Sequence, residues 1–352
     1  MSETEKPARS ANIFDVARLA GVSHQTVSRV LNDTPGVRPA TRQRVEQAIT
    51  QLRYSPSPAA RALVTRRTRM IGLIAPSSAD YGPASIALHF SDAARSARYG
   101  VISVTAVDSD AASTRTLVES LVNQRVEAVV LIVDDVAVLD AIRALDVGVP
   151  VVAVSAGRSR GPLVVAIDQY RGARNAVRHL VELGHRRIAH LAGPPTNPDA
   201  IERMRGWRDE LAASQLIAAE PGQGDWSPVS GYAFGAVLAD DTAVTAVFAG
   251  NDQMALGIVS ALLARGRRIP EDMSVVGFDD VPEAAFYVPP LTTVSQDFAA
   301  LGALTMQRVI IALEEAASLS EPTPIPTRLV VRASTGEPRR APGRGEAVAP
   351  GD

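Results

Sequence analysis

The 352-residue chain has no cysteine. A disulfide framework and a thiolate metal site are both excluded on that ground. No window reaches the roughly 18 uninterrupted apolar residues of a membrane helix. The opening stretch, "MSETEKPARSANIFD", lacks the long apolar core of a signal peptide. The expectation is a cytoplasmic protein without a membrane partner. A Walker glycine loop, an H-E-x-x-H zinc signature and a G-x-S-x-G nucleophile elbow are all missing. The five histidines, His24, His89, His179, His185 and His190, do not share a metal-ligand spacing with carboxylates. Neither a catalytic residue, a metal nor a cofactor is expected.

What is present is ordinary for a globular protein: 46% apolar and 21% charged residues. The length suggests two or three domains with ample core. The net charge of −2 hides an asymmetry. From Met1 to Arg69 there are eleven arginines and Lys6 against five acidic residues, a surplus of seven. The remainder therefore carries −9. A basic head on an acidic body points to a polyanion as the head's partner. Arginine also suits forked contacts to phosphate and guanine edges.

Local grammar divides the chain. Asn12 is an N-cap with Asp15 at N3, starting a short helix over 13–20 that Gly21 ends. Ser23 caps a second helix over 24–31. "ATRQRVEQAITQLRY" reads as a third, with Val45, Ile49 and Leu52 inward. These make an all-α helix-turn-helix domain over 1–55. "SPSP" begins a linker over 56–68 that contains the helix-competent "AARALVT". From Arg69 on, apolar runs such as "MIGLIAPSS", "VEAVVLIVD", "VPVVAVSAG" and "DMSVVGFDD" end in Gly, Ser, Asp or Asn and alternate with helical patterns. That pattern means an α/β core of parallel sheets covered on both faces. Ligands in such sheets bind at the strands' carboxyl ends, where Ser77, Asp134, Ser155, Asp168, Asn251, Asp252 and Asp279 cluster. The tail over 337–352 is rich in Pro, Gly, Ala and charge, reads as disordered, and has no leucine heptads for a coiled coil.

Ala17, Gly21 and Val27 have helix-turn-helix spacing: a small residue for close packing, a turn glycine, and a branched core residue. The start of the second helix then faces the major groove of double-stranded DNA. Gln25 can pair with adenine and Arg29 with guanine. Ser23, Thr26, Ser28 and Asn32 suit phosphates, which position without specifying.

The stretch "IFDVARLAGVSHQTVSRVLN" resembles the head of the LacI/GalR family of bacterial regulators. "LVELGHRRIAHLAGP", "GNDQMALG", "SVVGFDD" and "YVPPLTTVSQDF" resemble that family too, in its order and spacing. The resemblance implies that His24, Gln25 and Arg29 read bases, with His24 standing where a tyrosine is expected. It implies that "AARALVT" is a hinge helix whose Leu63 enters the minor groove, with Pro58 a departure in its first turn. It implies a periplasmic-binding-protein-like core of two parallel-sheet subdomains crossed three times by the chain. The first would hold about 69–167 and 296–326, the second about 168–295 and 327–336.

A hydroxyl-rich ligand in the cleft needs planar polar side chains and an aromatic face. By resemblance, Arg203 forks onto adjacent hydroxyls, and Asn251 and Asp279 complete the set. Trp226 in "GDWS" and Phe298 pack on the ring, with Gln296 nearby. Ile132 and Ser155 stand where an Asn and an Asp are expected, while Asp80, Pro83 and Ile86 occupy the cleft mouth. The resulting expectation is a homodimeric repressor on a near-palindromic operator, controlled by a small, galactoside-like sugar. The alternatives are a non-galactoside or co-repressor ligand on the same fold, a Rossmann-type enzyme, and a transport binding protein. "GLIAPSSADYG" is not the glycine-rich loop the enzyme needs.

Overall fold

The computed structural model describes residues 11–31, 35–54, 67–77, 80–107, 110–135, 137–138, 147–156, 161–314 and 320–339. Asn32, Leu63, most of the 56–68 linker and the tail from 340 on lie outside the described residues. The chain divides into two compact units, Met1–Thr68 and Arg69–Asp352.

The first unit holds α1 (Ile13–Ala20), α2 (His24–Leu31) and α3 (Pro39–Gln51). Asn12 and Asp15 form a reciprocal capping box at the start of α1. Gly21 ends that helix in the left-handed conformation, φ 65°, which a residue without Cβ adopts at no steric cost. Val16, Ala17, Ala20, Val27, Val30, Val45 and Ala48 make the core of this small unit. The third helix stops at Gln51, earlier than its periodicity suggests, and Arg53 turns the chain at φ 46°.

The second unit contains two sheets. Strands β1 (Met70–Pro76), β2 (Gly100–Ala106), β3 (Ala128–Ile132), β4 (Val151–Val154) and β5 (Val164–Val165) form the first, all parallel, in the order β2-β1-β3-β4-β5. Helix α4 (Tyr81–Ser96) covers one face and α5 (Ala111–Asn123) the other. The second sheet takes α6 (Gln169–Glu182), β6 (Ile188–Ala192), α7 (Pro198–Ala213), β7 (Gly222–Gln223), α8 (Pro228–Asp240), β8 (Ala246–Ala249), α9 (Asp252–Ala264), β9 (Ser274–Asp279) and β10 (Thr292–Ser295). Helix α10 (Phe298–Leu313) then returns to the first sheet, where Phe298, Leu301, Met306 and Val309 pack on its core. Strand β11 (Arg328–Val330) rejoins the second sheet, whose order is β11-β10-β9-β8-β6-β7.

Two features depart from the sequence expectation. Strand β11 runs antiparallel to β10, so the second sheet is mixed. The chain comes back to that edge after its last crossing, and three residues among prolines and threonines give no periodic signal of a strand. The presumed tail also begins later than 337, because Arg339 donates to Asp272 at 3.0 Å.

The chain passes between the sheets at 166–168, at 296–297 and near Ile325. The first and third passages are bonded to each other: Asp168 N–H to Ile325 carbonyl at 2.8 Å, and Ile325 N–H to Ala166 carbonyl at 2.9 Å. His185 is buried just beyond α6, where its ring meets Thr245, Ser274 and the Gly336 carbonyl. Burial lowers its pKa from the usual histidine value.

Helices α8 and α9 pack through glycines. A Cβ at Gly257 would overlap the backbone of Pro228 and Tyr232. Gly257→Ala forces the two helices apart, and overpacking of this kind costs about 1–3 kcal/mol. Urea denaturation of the variant should show that loss, with the head's own transition unchanged.

Candidate functional site

In the first unit, α2 presents His24, Gln25 and Arg29 as exposed side chains, while Val27 and Val30 face inward. Ser23 accepts the Thr26 backbone N–H at 3.2 Å and lies 3.0 Å from the Thr26 hydroxyl, so it starts the helix and fixes its first turn. Ser28 is half-buried on the same helix. The His24 ring packs 5.2 Å from that of Phe14, which is 59% exposed on α1. Phe14 thus backs His24, a neighbour that the sequence reading missed.

In the second unit a cavity of about 370 Å³ opens between the two sheets. All nine anticipated ligand residues line it: Pro83, Ile86, Ser155, Arg203, Trp226, Asn251, Asp279, Gln296 and Phe298. Strand ends and helix starts deliver them, as an open parallel sheet requires. Ile132 and Asp134, at the end of β3, and Asp80, just before α4, line it as well.

At its centre is Arg203, 5% exposed. Its Nε donates to Gln169 Oε1 at 3.0 Å and its Nη1 to the Gly250 carbonyl. Its Nη2 lies 3.4 Å from Asp279 Oδ1 and 3.8 Å from Asp199 Oδ2. Gln169 passes a hydrogen bond to Gln296 at 2.7 Å, and Gln296 passes one to Asp279 at 2.7 Å. Arg203, Gln169, Gln296 and Asp279 therefore form a closed ring of polar contacts. The guanidinium also stacks 3.9 Å from the centre of the Phe278 ring.

The aromatic walls are held as firmly. Trp226 has φ 72°, uncommon for any residue with a Cβ. Asn251 fixes it by donating to the Trp226 carbonyl at 3.0 Å while capping α9 through Met254 N–H at 2.8 Å. The indole lies over Gly193, where any Cβ would collide with it. Phe298 meets Tyr81 edge-on at 5.8 Å, and Tyr81 packs against the cores of both sheets.

Three comparisons with known proteins bear on this arrangement. Residues 12–57 match the family described as bacterial regulatory proteins, lacI family, and residues 177–335 match the periplasmic binding protein-like domain. The chain is 33% identical to the lactose operon repressor of Escherichia coli (strain K12), over 94% of this chain and 92% of that one. This chain belongs to the LacI family. It is also 34% identical to the transcriptional repressor PurR of Haemophilus influenzae, over 86% of this chain and 90% of that one. A crystal structure of the lac repressor dimer bound to operator and the anti-inducer ONPF superposes with a TM-score of 0.83 at 33% identity. It covers 93% of this chain and 100% of that one. The chain is thus a LacI-family transcriptional regulator with a DNA-binding head and a ligand-binding core, and not an enzyme.

Within this LacI-family core, two of the anticipated ligand residues are also engaged with the protein. Arg203 spends two of its five donors on Gln169 and Gly250. Asn251 spends its oxygen and one amide proton on Met254 and Trp226. Asp168 and Asp252, grouped with the strand-end polar residues, do structural work. Asp168 caps α6, and buried Asp252 takes the Thr293 hydroxyl at 2.6 Å and the Val281 N–H at 2.9 Å. Ser77 is outside the lining.

Sequence reasoning missed Gln169, Tyr81 and Asp199. The partners of Gln169 and Tyr81 are distant in the chain, so spacing carried no signal of them beyond Gln169 opening a helix next to the strand-end Asp168; Asp199 stands one helical turn before Arg203, a spacing that could have found it.

Burial raises the Asp279 carboxyl to about 6; Arg203 and the Gln296 bond pull it down, and Asp199 and Asp80 push it up. A carboxyl with a raised folded value favours the folded state most at low pH. That contribution is lost as pH rises from the unfolded value through about 6. A shift of this size corresponds to on the order of 3 kcal/mol. Between those limits the wild-type core should lose stability relative to Asp279→Asn as pH rises. Urea melts of both proteins across that range check the sign.

Proposed function

We propose that this protein is a homodimeric repressor whose hold on a near-palindromic operator is controlled by a small carbohydrate in the core cavity. Two-fold protein symmetry matches two-fold operator symmetry, each head reading one half-site. One observation carries the reading: a polar ring around Arg203 and two aromatic walls, Trp226 and Phe298, line one cavity. Sugar rings pair hydroxyls with planar polar groups and lay their C–H faces on aromatic rings. The "GDWS" segment that carries Trp226 favours a galactoside-like ligand.

The ligand alters DNA affinity only through its different affinities for two states of the protein. Operator affinity measured with and without candidate sugars gives the sign: release marks an inducer, tightening a co-repressor. No effect of any sugar on DNA binding defeats the proposal.

Two neighbouring helices support the dimer. Helix α8 exposes Val229, Tyr232 and Val237, and α9 exposes Leu256 and Leu263. Leu256→Glu with Leu263→Glu should convert a dimer to a monomer by light scattering. A wild-type monomer or stable tetramer would contradict the assembly.

At the head, Gln25→Ala and Arg29→Ala should each lose about 1–3 kcal/mol for the cognate site, with specificity relaxed at one base position. Anisotropy titrations against a DNA selected from a random pool measure both effects.

A further inference from the structure

We infer that Phe14 is a specificity-determining residue of the head, which together with His24 reads the C5-methyl group of a thymine. The inference rests on reading α2 as the helix that enters the major groove. It comes from an exposed aromatic ring that neither the core nor the caps of the head account for.

Phe14 stands second in α1 and is 59% exposed. It takes no part in the core, to which α1 contributes Val16, Ala17 and Ala20. The Asn12 cap uses the Phe14 backbone N–H, at 2.9 Å, and leaves the ring aside. That ring lies instead 5.2 Å from the ring of His24, tilted by 46°, and His24 is exposed as well. Both rings stand on fixed backbone. The Asn12–Asp15 capping box sets the start of α1, and Ser23 sets the first turn of α2. The pair therefore sits at the end of α2 that meets base edges in a helix-turn-helix.

In the major groove thymine presents two groups, the O4 acceptor and the C5-methyl, whereas cytosine presents an amino donor and no methyl. A neutral imidazole donates from one ring nitrogen and accepts at the other. Its hydrogen bond can thus serve O4 or the amino group, and separates the two pyrimidines poorly. An apolar contact to the methyl separates them, and a phenyl ring supplies one. Phe14 extends the His24 ring with such a surface, so the pair offers a polar edge beside an apolar face. A thymine edge has the same two parts, acceptor and methyl, side by side.

Anisotropy titrations of the full chain against a duplex selected from a random pool test this. Thymines are replaced by uracil in symmetric pairs, one in each half-site, one pair at a time. Uracil keeps O4 and its pairing with adenine and lacks only the methyl. Burying one methyl group is worth roughly fourfold in affinity, so one such pair should weaken binding roughly fifteenfold. In Phe14→Ala that penalty should vanish, and in Phe14→Tyr, which keeps the ring, it should persist. At the same position, 5-methylcytosine should bind tighter than cytosine in the wild type and equally in Phe14→Ala. Each comparison is between two duplexes on one protein, so it remains readable if Phe14→Ala weakens the head as a whole.

If no thymine pair loses affinity on replacement, or if the penalty survives in Phe14→Ala, the inference falls and the base-reading role of α2 stands. A selected half-site without thymine overturns it in the same way. A chain that prefers no duplex over random DNA overturns both readings together.

Discussion

A guanidinium that is only 5% exposed has to be paired, and the way Arg203 is paired organises the cleft. A buried charge without partners is too costly to keep. Arg203 draws its partners from separate elements: Gln169 from the start of α6, Gly250 from the end of β8, Asp279 from the end of β9, and Asp199 from its own helix. Satisfying one side chain therefore fixes the relative positions of two strand ends and two helix starts. Phe278, stacked beneath the guanidinium, fixes the height of that assembly above the sheet.

The aromatic walls follow from the same arrangement. Gly250, whose carbonyl accepts from Arg203, directly precedes Asn251, which holds Trp226 in its left-handed conformation. The glycine also leaves room for the indole, since a Cβ there would press on it at 3.2 Å. Arg203 in turn lies 5.5 Å from the Trp226 ring. Polar floor and apolar wall are thus one packed structure, and the non-glycine positive φ values at Trp226 and Asp279 fall where that packing compensates for them.

Features set by contacts close in the chain were legible in the sequence. The Asn12–Asp15 capping box, the Gly21 turn and the buried positions Ala17 and Val27 follow from residues three to ten apart. The apolar strands of both sheets were legible for the same reason. The identity of the cavity residues was legible through family motifs, because a motif states which side chain stands at a strand end. Their bonding was not. A sequence shows that an arginine brings five donors, but not that Gln169 lies 34 positions away to take one of them. The Gln169–Gln296 bond spans 127 positions and leaves no pattern that can be read locally. The antiparallel β11 was missed because three residues are too few to show alternation.

That long-range bond bears on how the two sheets can move. The first and third chain passages are tied through their backbones, by the Asp168–Ile325 and Ile325–Ala166 hydrogen bonds. The second passage, at Gln296, meets the first through the side chain of Gln169. Rotation of one sheet against the other can therefore keep the backbone bonds and draw on a side-chain bond that belongs to the ligand-facing ring. Arg203 and Asp279 are the other members of that ring. A ligand that engages either of them competes with, or reinforces, the contact joining two of the three passages. On the proposed reading, occupancy of the cavity is coupled to the angle between the sheets by a handful of hydrogen bonds. Each is worth a net of about 1 kcal/mol, or about 1.5–3 where a charge takes part. Two or three of them suffice for a coupling of a few kcal/mol between binding and conformation, the scale on which allosteric proteins operate.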